Sequence, residues 1–202
     1  MTRPGAIVFD LGKVLVDFDY GIAARRLAER SRLAAREVQS VIDHSPLLFR
    51  YETGQLDRAG FFAEIRAAIG YEGSLDEFSQ VFADIFTPIV EMIELHARLR
   101  QRGFPTFIFS NTNDLAVAHI HQHFPFFATF DGYVLSYQQG SMKPNPQIYE
   151  AVERLTGLRG DRLLYLDDRP ENVAAGAARG WHVIQQISPA DTWARIRELG
   201  LL

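Results

Sequence analysis

The chain has no cysteine, and that absence removes disulfides, thiolate nucleophiles and cysteine-based metal sites together. No apolar run approaches the roughly 18 residues that a membrane span needs. The opening Met1-Thr2-Arg3-Pro4-Gly5 leads into an apolar stretch too short, and too soon acidic, for a secretory signal. A cytoplasmic location is the default expectation. A strong excess of one charge is missing too. With 25 acidic and 21 basic residues the net charge is −4, so no basic footprint argues for nucleic acid or an anionic membrane as a partner. Lysine is nearly absent: Lys13 and Lys143 are the two lysines among the 21 basic residues. Either codon bias left two survivors, or lysine is kept where a compact ammonium on a flexible stem is wanted.

What is present is a buried-sheet pattern. At 202 residues and 47% apolar content, the chain can bury one core and a small accessory subdomain. Three apolar runs share one design. Ala6-Ile7-Val8-Phe9 ends in Asp10, Thr106-Phe107-Ile108-Phe109 ends in Ser110-Asn111, and Leu163-Leu164-Tyr165-Leu166 ends in Asp167-Asp168. Continuous apolar runs are expected of parallel strands buried on both faces. Tyr133-Val134-Leu135 and His182-Val183-Ile184 are further candidates.

Helical spacing fills the gaps, with Asn145-Pro146 and Ser188-Pro189 as helix starts and Gly103, Gly157 and Gly180 as stops. Strands alternating with helices predict an α/β protein with a doubly wound, Rossmann-like parallel sheet, whose ligands sit beyond the carboxyl ends of the strands. The alternation breaks once. Between Asp17 and about Thr87 the pattern is helical throughout, including a capping box at Ser74-Leu75-Asp76-Glu77. The expected organisation is a catalytic core from residues 1–16 and 88–202, with a small all-helical cap, 17–87, inserted after the first strand.

The polar residues at the strand ends can carry chemistry. Asp10 can attack an electrophile and form a covalent intermediate, although a strand-ending aspartate also serves as a turn residue or helix cap. Ser110-Asn111 offers a hydroxyl and N–H groups to phosphate oxygens, or simply caps the next helix. Lys143 can offset developing negative charge, or sit solvated on the surface. Asp167-Asp168 carries more weight, because adjacent carboxylates at a buried strand end repel unless a cation or donors compensate, and hard oxygen ligands suit Mg²⁺. His119, His121 and His123 invite a metal reading, but on a helix only His119 and His123 share a face. Arg50-Tyr51-Glu52-Thr53-Gly54 separates two helical stretches, as a plain turn or as a loop facing the strand ends.

In order and spacing, Phe9-Asp10-Leu11-Gly12-Lys13-Val14, Ser110-Asn111-Thr112-Asn113, Lys143-Pro144 and Asp167-Asp168-Arg169-Pro170-Glu171-Asn172 resemble the four motifs of the haloacid dehalogenase superfamily. The resemblance covers the whole chain, including a cap of the type placed just after the first motif. Within the family it is similar to the branch holding bacterial α-glucose-1-phosphate phosphatase and the phosphatase domain of soluble epoxide hydrolase. It implies a phosphoric monoester hydrolase that works through an aspartyl-phosphate. Asp10 would be the nucleophile and, with the Gly12 carbonyl and Asp168, would hold Mg²⁺. Ser110, Asn111 and Lys143 would hold the phosphoryl group, with Asp167 and Asn172 just behind them. The implied partner is a small phosphorylated metabolite, acted on by a monomer or weak homodimer.

One departure matters. Most phosphatases of the family carry a second aspartate, a general acid and base, at the position of Gly12. Its loss should hurt alkyl leaving groups most, because such help is typically worth ~10² to 10⁴ in rate. Asp17 and Asp19, just downstream, are either partial substitutes for it or plain solvated turn carboxylates, and an aspartate installed at Gly12 should restore part of the loss. The alternatives are a 2-haloacid dehalogenase, which attacks carbon without metal, and a catalytically weak module that binds a phosphorylated ligand.

Overall fold

The computed structural model describes residues 2–43 and 45–202. Strand β1 (Ala6–Phe9) leads through a tight turn to β2 (Val16–Phe18). Helices α1 (Tyr20–Ala28), α2 (Ala35–Ile42), α3 (Pro46–Glu52), α4 (Arg58–Ile69) and α5 (Leu75–Ala83) follow, and β3 (Phe86–Pro88) ends this stretch. The chain continues through α6 (Val90–Gln101), β4 (Thr106–Ser110), α7 (Asp114–His123), β5 (Gly132–Leu135), the short α8 (Ser136–Gln139) and α9 (Pro146–Thr156). It closes with β6 (Leu163–Asp167), α10 (Pro170–Ala178), β7 (His182–Gln185) and α11 (Pro189–Glu198).

The main sheet has the order β5-β4-β1-β6-β7, with every neighbouring pair parallel. From β1 the chain first builds out to β4 and β5, then returns to the other side for β6 and β7. This is the doubly wound sheet expected, and its direction reverses beside β1. A crevice therefore opens at the carboxyl end of β1, between the ends of its two neighbours.

Strand alternation sorts the core into two layers. Ile7, Phe9, Ile108, Leu164 and Leu166 point into one cluster with Met92, Leu95 and Leu99 of α6 and Ile196 of α11. Ala6, Val8, Phe109, Leu163 and Tyr165 point the other way, against Ile148, Tyr149 and Val152 of α9. Both faces of β1 are covered, which is why its sequence reads as a continuous apolar run.

The five helices between β2 and β3 enclose their own core, in which Leu27, Val38, Ile42, Leu48, Phe61, Ile65, Phe78 and Phe82 are buried. All five lie within the expected 17–87, but the edges of that stretch differ from the expectation of helix alone. The stretch after Asp17 is not strand-free: β2 and β3 form an antiparallel ribbon pairing Asp17 with Thr87 and Phe18 with Phe86. Three-residue strands carry too little alternation to register as a period, and only their pairing with each other sustains them.

This helical layer is fastened over the strand ends. Leu115 of α7 enters its core. Asp114 accepts a hydrogen bond from the Tyr51 hydroxyl and two from Arg58, at 2.9 and 2.7 Å. Gly54, at φ +68°, lies so close to the Tyr137 carbonyl that no side chain would fit.

Candidate active site

Asp10 follows β1 directly, and Asp167 ends the neighbouring β6. The alignment of β1 with β6, Phe9 opposite Leu166, carries both carboxylates to one sheet end. On the other flank, the Ser110–Asn113 loop after β4 is clipped in place. Ser136 accepts from the Thr112 N–H at 2.9 Å and donates to the Thr112 carbonyl at 3.0 Å. The Asn111 side chain in turn clamps the Lys143 backbone, donating to its carbonyl at 3.1 Å and accepting from its N–H at 2.8 Å.

Lys143 is the hub. Its side chain is 1% exposed. The ammonium meets Asp10 at 2.9 Å, Asp167 at 2.6 Å and the Phe109 carbonyl at 2.9 Å. Those three acceptors use all three of its donors. The faces of Phe109 and Tyr165 close around it at 5.0 and 5.8 Å, and both rings favour a cation. Asp167 is held as an acceptor by Lys143, the Tyr165 hydroxyl, the Asn172 amide at 3.0 and 3.2 Å, and the Arg169 N–H at 2.9 Å. Asp10 spends one oxygen on the Leu11 N–H at 2.7 Å and on Lys143. Its other oxygen has no hydrogen-bond partner among the described residues.

The charges are set by burial and by one another. Burial alone would lower the Lys143 pKa, but the charges of Asp10 and Asp167 hold it above the ordinary lysine value. Burial also works against an ionised Asp167, yet Lys143 and the hydrogen bonds around it keep it below the usual range. Burial pushes the Asp10 carboxyl up, against the pull of Lys143, and the negative charges of Asp167 and Asp168 add to the rise. Asp168 is raised as well, by burial and then by Asp167. One ammonium is too little for three carboxylates.

The donor set fits a hard divalent cation. Asp10, Asp167 and Asp168 each offer an oxygen within 4.8 Å of the others, forming the one such group of acidic or histidine ligands among the described residues. Oxygen-only ligands with a surplus of negative charge suit Mg²⁺. Asp167 is already saturated by its own donors, so Asp10 and Asp168 are the two with oxygens to give.

A cavity of about 260 Å³ opens above these groups. Asp10, Gly12, Asn111, Lys143, Asp168 and Asn172 line its floor, and Leu48, Phe49 and Glu52 of α3 form its roof. Ser110 lies beside it, lining a smaller recess with Gly12 and Asn111. All eight residues singled out in the sequence thus meet at one place. A larger open groove between α6 and α11, about 1170 Å³, lies elsewhere and holds none of the three carboxylates. Among the described residues, His119, His121 and His123 join no metal group. His119 and His123 stack at 4.3 Å, and His119 packs against Phe86 and Phe124.

Lys13 has a local task. It stands at φ 58° in the turn after β1, pairs with Asp17, donates to the Phe18 carbonyl at 3.0 Å and lies over the Phe18 ring at 4.8 Å. Phe18 is pressed in turn against Gly12, where an added Cβ would come within 2.8 Å of the ring. Nothing in the local sequence signals that contact, which depends on the β2–β3 ribbon. Tyr165 escaped notice for a similar reason, since it reads as one more core aromatic.

The comparisons with known proteins fall on this architecture. The model of the haloacid dehalogenase-like hydrolases matches residues 4–180. A D-ribitol-5-phosphate phosphatase of Bacteroides thetaiotaomicron is 25% identical, over 92% of this chain and 93% of that protein. Hexitol phosphatase A of Escherichia coli is 26% identical, over 99% of this chain and 90% of its own length. Among solved structures, a haloacid dehalogenase family enzyme from Bacteroides thetaiotaomicron in its magnesium complex superimposes with a TM-score of 0.84 at 20% identity, covering 97% of this chain and 99% of that one.

Proposed function

The chain belongs to the haloacid dehalogenase-like hydrolases, and from that membership we propose that it is a Mg²⁺-dependent phosphatase of small phosphate monoesters that works through a phosphoryl group on Asp10. The observation that carries this reading is the convergence of a buried ammonium and three carboxylates at the sheet's reversal point.

Asp10 and Asp168, with the Gly12 carbonyl, would hold the ion, which when bound supplies positive charge to the phosphoryl oxygens and to the carboxylates around them. The residues do the rest. Lys143 balances charge on the transferring group, and Asp167 and Asn111 hold the lysine where it stands. Ser110 and the Asn111 N–H bind phosphoryl oxygens. The unpartnered oxygen of Asp10 attacks phosphorus, the ester bond breaks with its electron pair going to the leaving oxygen, and water then cleaves the acyl-phosphate. A 2-haloacid dehalogenase reading fares worse, because the surplus carboxylates would repel a carboxylate substrate.

The cavity is smaller than the usual 300–1,000 Å³ of ligand pockets, which favours a small substrate. The names of the two phosphatase relatives point to phosphorylated polyols. The test is phosphate release from a panel of polyol, sugar and aryl phosphates with Mg²⁺ and with EDTA. Release with Mg²⁺ that stops in chelator is expected. Full activity in chelator would refute the metal assignment, and inactivity on every ester would refute the phosphatase reading.

A further inference from the structure

The phosphatase reading leaves one step without an owner, the protonation of the leaving oxygen. Gly12 has no side chain to do it, and the Phe18 ring fills the space where one would be. Asp17, the first candidate to replace it, is paired with Lys13, which holds its carboxyl below the usual range and makes it a poor acid. Asp19 caps α1, accepting from the Gly21 N–H at 2.7 Å. Neither lines the cavity.

Three carboxyl groups do line it among the described residues: Asp10, Asp168 and Glu52. The first two are committed to the nucleophile and the metal. Glu52 ends α3 and enters from the opposite side, the roof, beside Leu48 and Phe49. It also borders the recess that holds Gly12, Ser110 and Asn111. Its partner there is Asn113. The Asn113 side-chain oxygen already accepts from the Ala116 N–H at 3.0 Å, so its amide is the end left to donate to Glu52. One hydrogen bond is little for a half-buried carboxylate, and desolvation pushes the Glu52 carboxyl up to about 7. Around neutrality both its acid and its carboxylate forms are populated, the condition for a group that gives a proton and takes one back. Neighbouring residues keep it in place. Tyr51 and Arg58 bind Asp114, and Gly54 rests on the Tyr137 backbone, so α3 is fastened to the core on both sides of Glu52.

We propose that Glu52 donates the proton to the leaving oxygen, doing from the cap what a side chain at Gly12 would do from the core. The inference rests on the phosphatase reading. As the Asp10 oxygen bonds to phosphorus and the ester P–O bond breaks, the departing oxygen takes the bond's electron pair and the Glu52 proton, and leaves as an alcohol. Glu52, now a carboxylate, takes a proton from the water that attacks the aspartyl-phosphate. The Asp10–phosphorus bond breaks, its electron pair returns to Asp10, and inorganic phosphate leaves with both residues restored.

The test compares wild type and Glu52→Gln on esters graded by leaving-group pKa, from p-nitrophenyl phosphate to a polyol phosphate, as kcat/KM with Mg²⁺. Glutamine keeps the shape and can still pair with Asn113, but has no proton to give. A loss of ~10²-fold or more on the polyol phosphate, with a loss at least tenfold smaller on the aryl ester, is expected of a missing general acid. A steeper dependence on leaving-group pKa in the mutant is the same result seen as a slope. Equal losses on both esters would mean that Glu52 only binds or shapes the pocket, and would overturn the proposal while leaving the phosphatase reading intact. A mutant as active as wild type on the polyol ester would overturn it too. A wild type inert on all esters would sink the phosphatase reading, and the proposal with it.

Discussion

Replacing Lys143 with methionine should cost far more than an ordinary surface lysine would. The side chain is 1% exposed, and its ammonium is shared between Asp10 and Asp167 at 2.9 and 2.6 Å. Methionine fills much the same volume, so the packing loss is small and the electrostatic loss dominates. Removing one partner of a buried ion pair typically costs about 3–5 kcal/mol, because an uncompensated charge is left behind. Two carboxylates are stranded here, but Asp167 keeps Tyr165, Asn172 and the Arg169 N–H, so the lower half of that range is expected. The Lys143→Met/Asp167→Asn double mutant should be more stable than the sum of the single changes, since the second substitution removes a stranded charge. For residues in direct contact such coupling runs to about 0.5–3 kcal/mol. The assay is urea unfolding of the four proteins at pH 7 in EDTA, which separates folding from metal binding. A Lys143→Met loss under about 1 kcal/mol, or strict additivity in the cycle, would refute the picture of Lys143 as the charge hub.

Two further changes follow from the same packing. Gly12→Asp should not restore a general acid on its own, contrary to what the sequence suggests. The new Cβ meets the Phe18 ring at 2.8 Å, and overpacking costs about 1–3 kcal/mol; in the Glu52→Gln background, activity on alkyl phosphates should be rescued by Gly12→Asp only when Phe18→Ala is added, and a stable Glu52→Gln/Gly12→Asp protein with rescued activity would contradict this. His96 should make the fold acid-sensitive. It is 2% exposed, stacked on Phe130 at 3.9 Å, and burial lowers its pKa to about 4. The unfolded chain therefore binds the proton first, at the ordinary histidine value near 6.5. The contribution is fully present above that pH and is lost as pH falls toward 4, to the extent of about 3 kcal/mol. Urea midpoints between pH 7 and 4 should fall less steeply for His96→Gln than for wild type; parallel curves would refute it.

How much of this was legible before the structure depends on how local each signal is. β1, β4 and β6 are buried on both faces, so their apolar runs are unbroken and their polar ends stand out. Asp10, Ser110 and Asp167-Asp168 could therefore be picked out as strand-end groups, whereas Lys143, in the loop between α8 and α9, stands out as one of two lysines and by its place in the motif order. What escaped depends on contacts between distant segments. The β2–β3 ribbon joins residues about 70 apart in sequence, and its strands are too short to show a period. The Phe18 ring blocks Gly12 only because that ribbon places it there. Lys13 reads as an anomaly next to the candidate nucleophile until its pairing with Asp17 and Phe18 is seen. Glu52 lies in a segment that reads equally well as a plain turn; its half-buried place in the cavity beside Asn113, from the next layer of the fold, is what makes it chemically distinct.

The central claim is that phosphate passes through Asp10. The most direct test is to quench the enzyme in acid during turnover with Mg²⁺, and to map any phosphoryl group on the protein by peptide mass spectrometry. The account predicts one phosphoryl group on the peptide containing Asp10, released by hydroxylamine as an acyl-phosphate should be, and absent from Asp10→Asn together with turnover. An Asp10→Asn protein that still turns over substrate, or a phosphoryl group carried on a different residue, would contradict it.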